Sequence, residues 1–397
     1  MSADEPASLS MDTQAVWAAE AGPFPYGAAV VPIVQAATFA YEDLESWRSV
    51  ALHRRAGHIY SRNTNPTLEV LERKIAALDG TEAAAGFSTG MAAISSTFFA
   101  LLSPGDRLVS IRDSYGGTNV LFEEFLPRFS IETCLCDTTD MEAIESEIER
   151  GCRLLYLETP TNPTLKVVDI ERLTQAAHDE GAIVVTDNTF ATPCNQRPAA
   201  LGSDLVVYSA TKFLAGHSDV LGGLVSGRAE PVRRIHHFRE IAGATLHAEA
   251  AYAILRGMKT LALRMARHNS NALRIAEHLA RHPRVAAVHY PGLPDHPGHA
   301  IARRQMRGYG GVLAFAPRGG LTELSTVLDR LRLAQRAAHL GGVATCAGPP
   351  SVTSHVELTA EERARAGIPE TLIRYSVGIE DPVDLIADLD QALAALS

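Results

Sequence analysis

The sequence predicts an α/β protein: a large, mostly parallel sheet domain followed by a smaller C-terminal α/β domain. Two patterns carry this prediction. From about residue 105 to 228, short apolar runs alternate with amphipathic stretches. Strands alternating with helices imply a parallel sheet covered on both faces. From about residue 249 to 282 a long helical stretch then leaves that region, with Leu255, Met258, Leu261 and Met265 spaced to bury one face.

Taken in order, residues 1 to about 65 have mixed periodicity and several prolines, among them Pro23, Pro25 and Pro32, and read as an arm. The first clear helix follows Asn65-Pro66, because proline suits a first turn in which its missing N–H would be unpaired anyway. Leu68, Leu71, Ile75 and Leu78 repeat at helical spacing and Gly80 ends the run. Residues 107–112 (RLVSIR), 153–157 (RLLYL), 182–185 (AIVV) and 204–208 (DLVVY) are strand-like, and 169–181 is a helix with an acidic start and a glycine stop. Beyond the long helical stretch, 310–315, 321–331, the Gly/Pro-rich 341–350, 372–377 and 383–396 form the smaller unit. The expected division is therefore an arm (1–65), a large domain (66–255) and a C-terminal domain (256–397). Ligands of open parallel sheets bind at the carboxyl ends of the strands, so the residues just after each run are the candidates for chemistry.

Composition narrows the choices. With 36 Lys+Arg against 46 Asp+Glu the formal charge is −10, and no long basic run is present. Non-specific nucleic-acid and membrane-surface binding are therefore not expected. No uninterrupted apolar run approaches the ~18 residues of a membrane span, and residues 1–6 open with acids and no basic flank, so a cytoplasmic location is expected. The five cysteines, at 134, 136, 152, 194 and 346, are too few and too scattered for a disulfide framework. His278 and His282 lie four apart without accompanying Cys or acid ligands, so no metal site is expected.

The sharpest chemistry lies in residues 184–223. Asp187 follows one strand-like run, and Ser209-Ala-Thr211-Lys212 follows the next, placing an acid, a lysine and two hydroxyls at one sheet edge. A lone lysine there would be an ordinary solvated residue. The set as a whole suits pyridoxal phosphate (PLP): a lysine to bond the aldehyde, an acid facing the pyridinium nitrogen and hydroxyls toward the phosphate. Ser88-Thr89-Gly90-Met91 precedes the apolar helix 92–102, and the free N–H groups of a helix N-terminus bind phosphate. The same letters, Gly86-Phe-Ser88-Thr-Gly90, match the G-x-S-x-G elbow of α/β-hydrolases. A serine hydrolase using Ser88 is thus a distant alternative, weakened by the poor strand signal of 81–85 (TEAAA). Tyr115 and Asn162 follow two further strand-like runs, and Arg374 lies on a third, where a buried charge is costly unless paired.

These motifs, together with Tyr60-Ser-Arg62-Asn-Thr-Asn-Pro-Thr67, resemble those of the Cys/Met-metabolism PLP enzymes, the family of cystathionine γ-synthase, cystathionine γ-lyase and methionine γ-lyase. The likeness runs from about residue 20 to the C-terminus. It implies the aspartate aminotransferase-like fold type I, with Lys212 carrying PLP and removing the substrate's Cα proton. Asp187 would keep the ring nitrogen protonated, Tyr115 would stack on the ring, and Thr89, Gly90, Met91, Ser209 and Thr211 would surround the cofactor. By the same resemblance Tyr60 and Arg62 reach the phosphate in a neighbouring subunit. That requires at least a homodimer, with the homotetramer as the usual assembly. Asn162 and Arg374 would meet the amino-acid substrate, Arg374 gripping its α-carboxylate.

The chain also departs from the family. Tyr115-Gly-Gly-Thr-Asn-Val120 has valine where the family commonly has arginine. His339-Leu-Gly-Gly-Val-Ala344-Thr345 replaces SLGGVES or SLGGVET. Residues 347–355 (AGPPSVTSH), which include Thr353, replace HPASMTH, and Leu246-His-Ala-Glu249 replaces Ser-Pro-Phe-Asp. An arginine and a glutamate able to grip the distal end of cystathionine are both absent, at about 1.5–3 kcal/mol per charge-assisted contact. The expected activity is γ-elimination or γ-replacement on an L-amino acid with a small or weakly polar γ-leaving group: a thiol, an ester or a halide. His339 and Thr353 are expected at the substrate, His339 as an acid/base. A β-lyase acting on cysteine conjugates or cystathionine is the alternative.

Overall fold

Four apolar runs buried on both faces set the architecture. The computed structural model describes residues 9–52, 54–356 and 358–396; the acidic opening at residues 1–6 lies outside them. The large sheet holds β1 (Ala83–Phe87), β2 (Arg107–Ile111), β3 (Glu132–Cys136), β4 (Leu154–Glu158), β5 (Ile183–Asp187), β6 (Leu205–Ser209) and β7 (Gly223–Gly227), in the order β1-β7-β6-β5-β4-β2-β3. The pairs β2/β3, β2/β4, β4/β5 and β5/β6 are parallel, while β7 runs antiparallel to both β1 and β6. All five residues of β4 are buried, as expected of a strand covered on both faces. A second sheet, β8 (Val285–His289), β9 (Val312–Pro317), β10 (Gln335–Arg336), β11 (Cys346–Gly348) and β12 (Ile373–Ser376), runs β10-β11-β12-β9-β8. The expected fold class, a large mostly parallel sheet with a smaller second one, is the one observed. Among the described residues no helix is long and apolar enough to cross a membrane.

The helix Pro66–Asp79 forms where proline and capping predicted it. Asn65 Oδ1 accepts the Thr67 N–H, and Gly80 closes the far end in the left-handed conformation. Its Leu68, Leu71, Ile75 and Leu78 are buried in the largest core cluster. Residues ahead of it, expected as an arm, contain two short helices, Met11–Trp17 and Leu44–Ala51. The first is tied to its own chain, because the buried Glu20 pairs with the buried Lys74 at 2.5 Å and with Lys259 at 2.6 Å.

Two elements differ from the sequence reading. β1 and β7 are rich in alanine and glycine, residues depleted in strands, and the reason lies in what crosses them. A Cβ on Gly223 would lie 2.1 Å from the Thr89 carbonyl oxygen, so only glycine lets the helix Gly90–Leu101 start so close to the sheet. The helical stretch expected over 249–282 is two helices, Ala248–Met258 and Leu261–Arg281. In the first turn of the second, Arg264 turns inward: its Nη2 donates to Gly257 O at 2.8 Å and Leu214 O at 3.2 Å, and its Nη1 to Phe213 O at 2.7 Å. Gly257 O therefore accepts the Thr260 N–H at 3.2 Å, the Thr260 hydroxyl at 3.1 Å and this guanidinium together, where the two helices meet.

Beneath the sheet, Asp79 Oδ1 accepts the Tyr208 hydroxyl at 2.5 Å and Oδ2 that of Ser226, while Asn188 Nδ2 donates to the Tyr208 oxygen at 3.0 Å. Burial pushes the Asp79 carboxyl up to about 7 despite these donors. Its folded value exceeds the unfolded one, so it favours folding below about pH 4, and that contribution is lost as pH rises toward 7. The loss approaches 1.4 kcal/mol per pH unit across that window. Replacing Asp79 with asparagine is expected to flatten this component of the stability–pH curve, read from urea midpoints between pH 4 and 7.

Candidate active site

The carboxyl ends of β2, β4, β5 and β6 open onto one cavity of about 280 Å³, closed on another side by the start of the helix Gly90–Leu101 and by Arg374 of β12. Of the residues singled out in the sequence, Thr89, Gly90, Met91, Tyr115, Asn162, Asp187, Ser209, Thr211, Lys212, Thr353 and Arg374 all line it. Each of the four strands delivers one of them just at or past its last residue, so parallel topology gathers positions up to 97 apart in sequence, from Tyr115 to Lys212, onto one edge.

Lys212 sits in a loop held from two sides. Arg264 takes the carbonyls of Phe213 and Leu214, and Val343 N donates to Gly216 O at 3.0 Å. Gly341, at φ +78°, presses on the same loop, and a Cβ there would lie 2.6 Å from Phe213 N. Burial first, then the nearby Arg374, brings the Lys212 amine down to about 8. At the opposite charge, Asp187 Oδ1 accepts the Thr189 N–H at 2.9 Å and Oδ2 the Tyr156 hydroxyl at 3.2 Å. Burial nevertheless raises the Asp187 carboxyl. Glu158, also buried on the cavity wall, is raised well above the usual carboxylate range by burial and by Asp187. Among the described residues no cationic side chain is hydrogen-bonded to either acid.

This donor set fits PLP. The first N–H groups of a helix are unsatisfied within it. Here they open beside the Ser209 side chain, and Gly90 permits the approach, since a Cβ there would lie 2.8 Å from Ser209 Cβ. That side suits a phosphate. The raised, unpaired acids suit a protonated ring nitrogen, and a buried amine of lowered basicity suits an aldehyde. Arg374 Nη1 donates to Asn162 Oδ1 at 3.0 Å and Nη2 to His339 O at 3.3 Å. Those two contacts leave the remaining guanidinium N–H groups for a ligand.

Four of the named residues stand apart. His339 is not among the cavity walls: its Nδ1 lies 3.4 Å from Lys212 Nζ, and its buried Nε2 has no partner. Burial, Lys212 and Arg374 hold its imidazole down to about 4, so it is neutral at pH 7. Tyr60 and Arg62 face away from this cavity; Tyr60 is exposed, the Arg62 guanidinium lies 5.5 Å over its ring, and Arg62 lines a second surface cavity. Ser88 follows β1, and among the described residues no histidine or carboxylate is hydrogen-bonded to its hydroxyl, so the hydrolase elbow has no base. Conversely, the sequence reading assigned nothing to Glu158, Tyr156 or Thr189. Their only signal was position, at the end of a buried run or two residues from Asp187.

The comparisons with known proteins point the same way. Residues 12–394 match the family model described as Cys/Met metabolism PLP-dependent enzyme. The L-methionine gamma-lyase of Fusobacterium nucleatum subsp. polymorphum is 43% identical over 371 residues, 93% of this chain and 94% of that protein. The chloroplastic cystathionine gamma-synthase 1 of Nicotiana tabacum is 41% identical over 370 residues, 93% of this chain and 68% of that one. The crystal structure of cystathionine gamma synthase from Xanthomonas oryzae pv. oryzae in complex with cystathionine superposes with a TM-score of 0.93 at 37% identity, covering 97% of this chain and 98% of that one. By sequence, fold and donor set together, the chain belongs to the Cys/Met-metabolism family of PLP-dependent enzymes.

Proposed function

We propose that this enzyme catalyses γ-elimination or γ-replacement on an L-amino acid bearing a small or weakly polar γ-substituent. The observation that carries the reading is one cavity in which a lysine, an acid and an arginine, Lys212, Asp187 and Arg374, are jointly exposed. When bound there, PLP supplies an aldehyde that bonds to amines and a ring that withdraws electrons from the substrate's Cα. Thr89, Gly90, Met91, Ser209 and Thr211 hold its phosphate side, Asp187 its ring nitrogen, and Tyr115 its ring face. Arg374 and Asn162 orient the substrate by its α-carboxylate, with Thr353 on the same wall. Lys212 Nζ would take the substrate's Cα proton, the first of the two protons, from Cα and Cβ, whose loss precedes departure of the γ-group with its bonding electrons. His339 acts on Lys212, its neutral Nδ1 accepting from the amine, and not on the leaving group directly.

The substrate class rests on charge. Among the described residues of one protomer, the cavity walls carry two cations, Lys212 and Arg374. With Lys212 engaged by the cofactor, Arg374 is the single anchor for a carboxylate. Neither Val120 nor Ala344 lines the cavity, and Ala344 is exposed, so neither position supplies a grip on a charged distal end. Tyr60 and Arg62, remote from their own cavity, support a homo-oligomer in which they complete a neighbour's phosphate site. The dimer is the smallest assembly that does this.

Lys212→Ala is expected to abolish turnover and the borohydride-sensitive visible band while leaving the far-UV circular dichroism unchanged. Incubated with L-methionine, O-acetyl-L-homoserine and L-cystathionine, the enzyme should yield a four-carbon keto acid from the first two at a kcat/KM at least about tenfold above that for cystathionine. Pyruvate as the main product would instead mark a β-lyase. The neutral amine is the form that bonds PLP, so PLP uptake by apo-enzyme should accelerate with rising pH through about 8 and level off above it; an unshifted lysine would place this rise near 10.5. Replacing His339 with phenylalanine keeps a ring but removes Nδ1, and should lower kcat about tenfold with KM little changed.

A further inference from the structure

Glu158 ends β4 opposite Asp187 of β5, the two being register partners on adjacent parallel strands. Its two oxygens serve two different loops. Oε2 accepts the backbone N–H of Tyr115 at 2.8 Å, and Oε1 accepts that of Asn162 at 3.0 Å. Tyr115 belongs to the loop after β2 and Asn162 to the loop after β4, two neighbouring strands. Asn162 extends the connection across to the smaller sheet through its Oδ1, which accepts from Arg374 Nη1 at 3.0 Å. One buried carboxylate therefore lies between the aromatic ring on one side of the cavity and the guanidinium on the other.

Only a carboxylate of this length does both tasks. A glutamine has one acceptor oxygen and turns an NH₂ toward the other N–H; an aspartate is one methylene short. We propose that Glu158 is a positioning residue: by holding the Tyr115 and Asn162 amides at a fixed separation, it sets the ring-facing tyrosine against the Asn162–Arg374 pair that receives the substrate carboxylate. This rests on the reading of Lys212 and Asp187 as the PLP site. Glu158 itself acts through other residues, and its effect is on geometry. Misplacement of a substrate by about 1 Å costs on the order of 100-fold in rate.

The test uses holoenzyme and glycine, which carries a carboxylate for Arg374 and no γ-substituent. Glu158→Gln should keep the borohydride-sensitive visible band, weaken the glycine-induced spectral shift about tenfold in Kd, and lower kcat/KM for O-acetyl-L-homoserine about 100-fold. Glu158→Asp should behave alike. In a cycle with Asn162→Ala, the loss on changing Glu158 should shrink at least about threefold once the Asn162 side chain is gone, because the two act in one chain. Glycine binding as tight as in the wild type, fully additive losses, or disappearance of the band in both Glu158 variants would each overturn the positioning role. Absence of the band in the wild type would instead overturn the PLP reading beneath it.

Discussion

The buried guanidinium of Arg264 binds the carbonyls of Phe213, Leu214 and Gly257, and on that grip the placement of the cavity's lysine depends. The loop after β6 leaves the sheet with its carbonyls unpaired by any strand, and buried carbonyls need donors. Arg264 supplies them from the first turn of the helix Leu261–Arg281, and Val343 adds an N–H from the far side. The amine of Lys212 is thus fixed between the two sheets. The same arrangement removes it from solvent, which lowers its basicity. Structural support and chemical activation arise from one set of contacts.

The cavity reverses the charge balance of the chain. The formal charge of −10 is mostly exposed, while the cavity concentrates both signs at short range. On one side lie Glu158 and Asp187, each raised by burial, with Glu158 raised further by Asp187. On the other lie Lys212 and Arg374, each lowered. Carboxylates raised and cations lowered are groups that lack a full complement of counter-charges. A ligand with an anion at one end, a protonatable nitrogen at the other and an aldehyde between answers all three demands, and the substrate's carboxylate answers Arg374. His339, neutral between Lys212 and Arg374, adds no charge to this balance, which is why a histidine is tolerated so near two cations.

Much of this was legible because parallel strands leave a strong trace. Runs such as 154–157 and 205–208 are apolar throughout, and the chemistry follows each run directly, so Asp187, Ser209 and Lys212 could be placed on one edge from the letters alone. β1 and β7 left no such trace, because their glycines answer to close neighbours far off in sequence: Gly223 to Thr89, Gly86 to Leu68 and Gly227 to Asp204. The break at Lys259-Thr260 was equally invisible, and Arg264 just after it bonds carbonyls of a loop some fifty residues earlier. Glu158 could be read only as the end of a strand. Its bonds go to backbone amides, which carry no side-chain signature, one 43 residues away. His339 was legible as a departure but not in its direction: the sequence placed it at the substrate as an acid/base, and the geometry brings it to Lys212.

The departures at 120 and 344 gain a sharper physical meaning from the cavity. Had either position lined the wall, its lost charge would act on substrate directly, and an exposed neutral residue there would leave a hole to be filled. Neither lines it within one protomer, and the apolar part of the wall includes Leu221, Leu340, Phe190 and Ile94. An apolar wall discriminates weakly among small groups, by about 1–3 kcal/mol per methylene, but an unpaired charge placed against it carries a far larger penalty. On the proposed function, the cavity would select against a charged distal end more strongly than it would select for any particular leaving group. On that same proposal, breadth among thiol, ester and halide substituents and rejection of a second amino-acid head would both follow from such a surface.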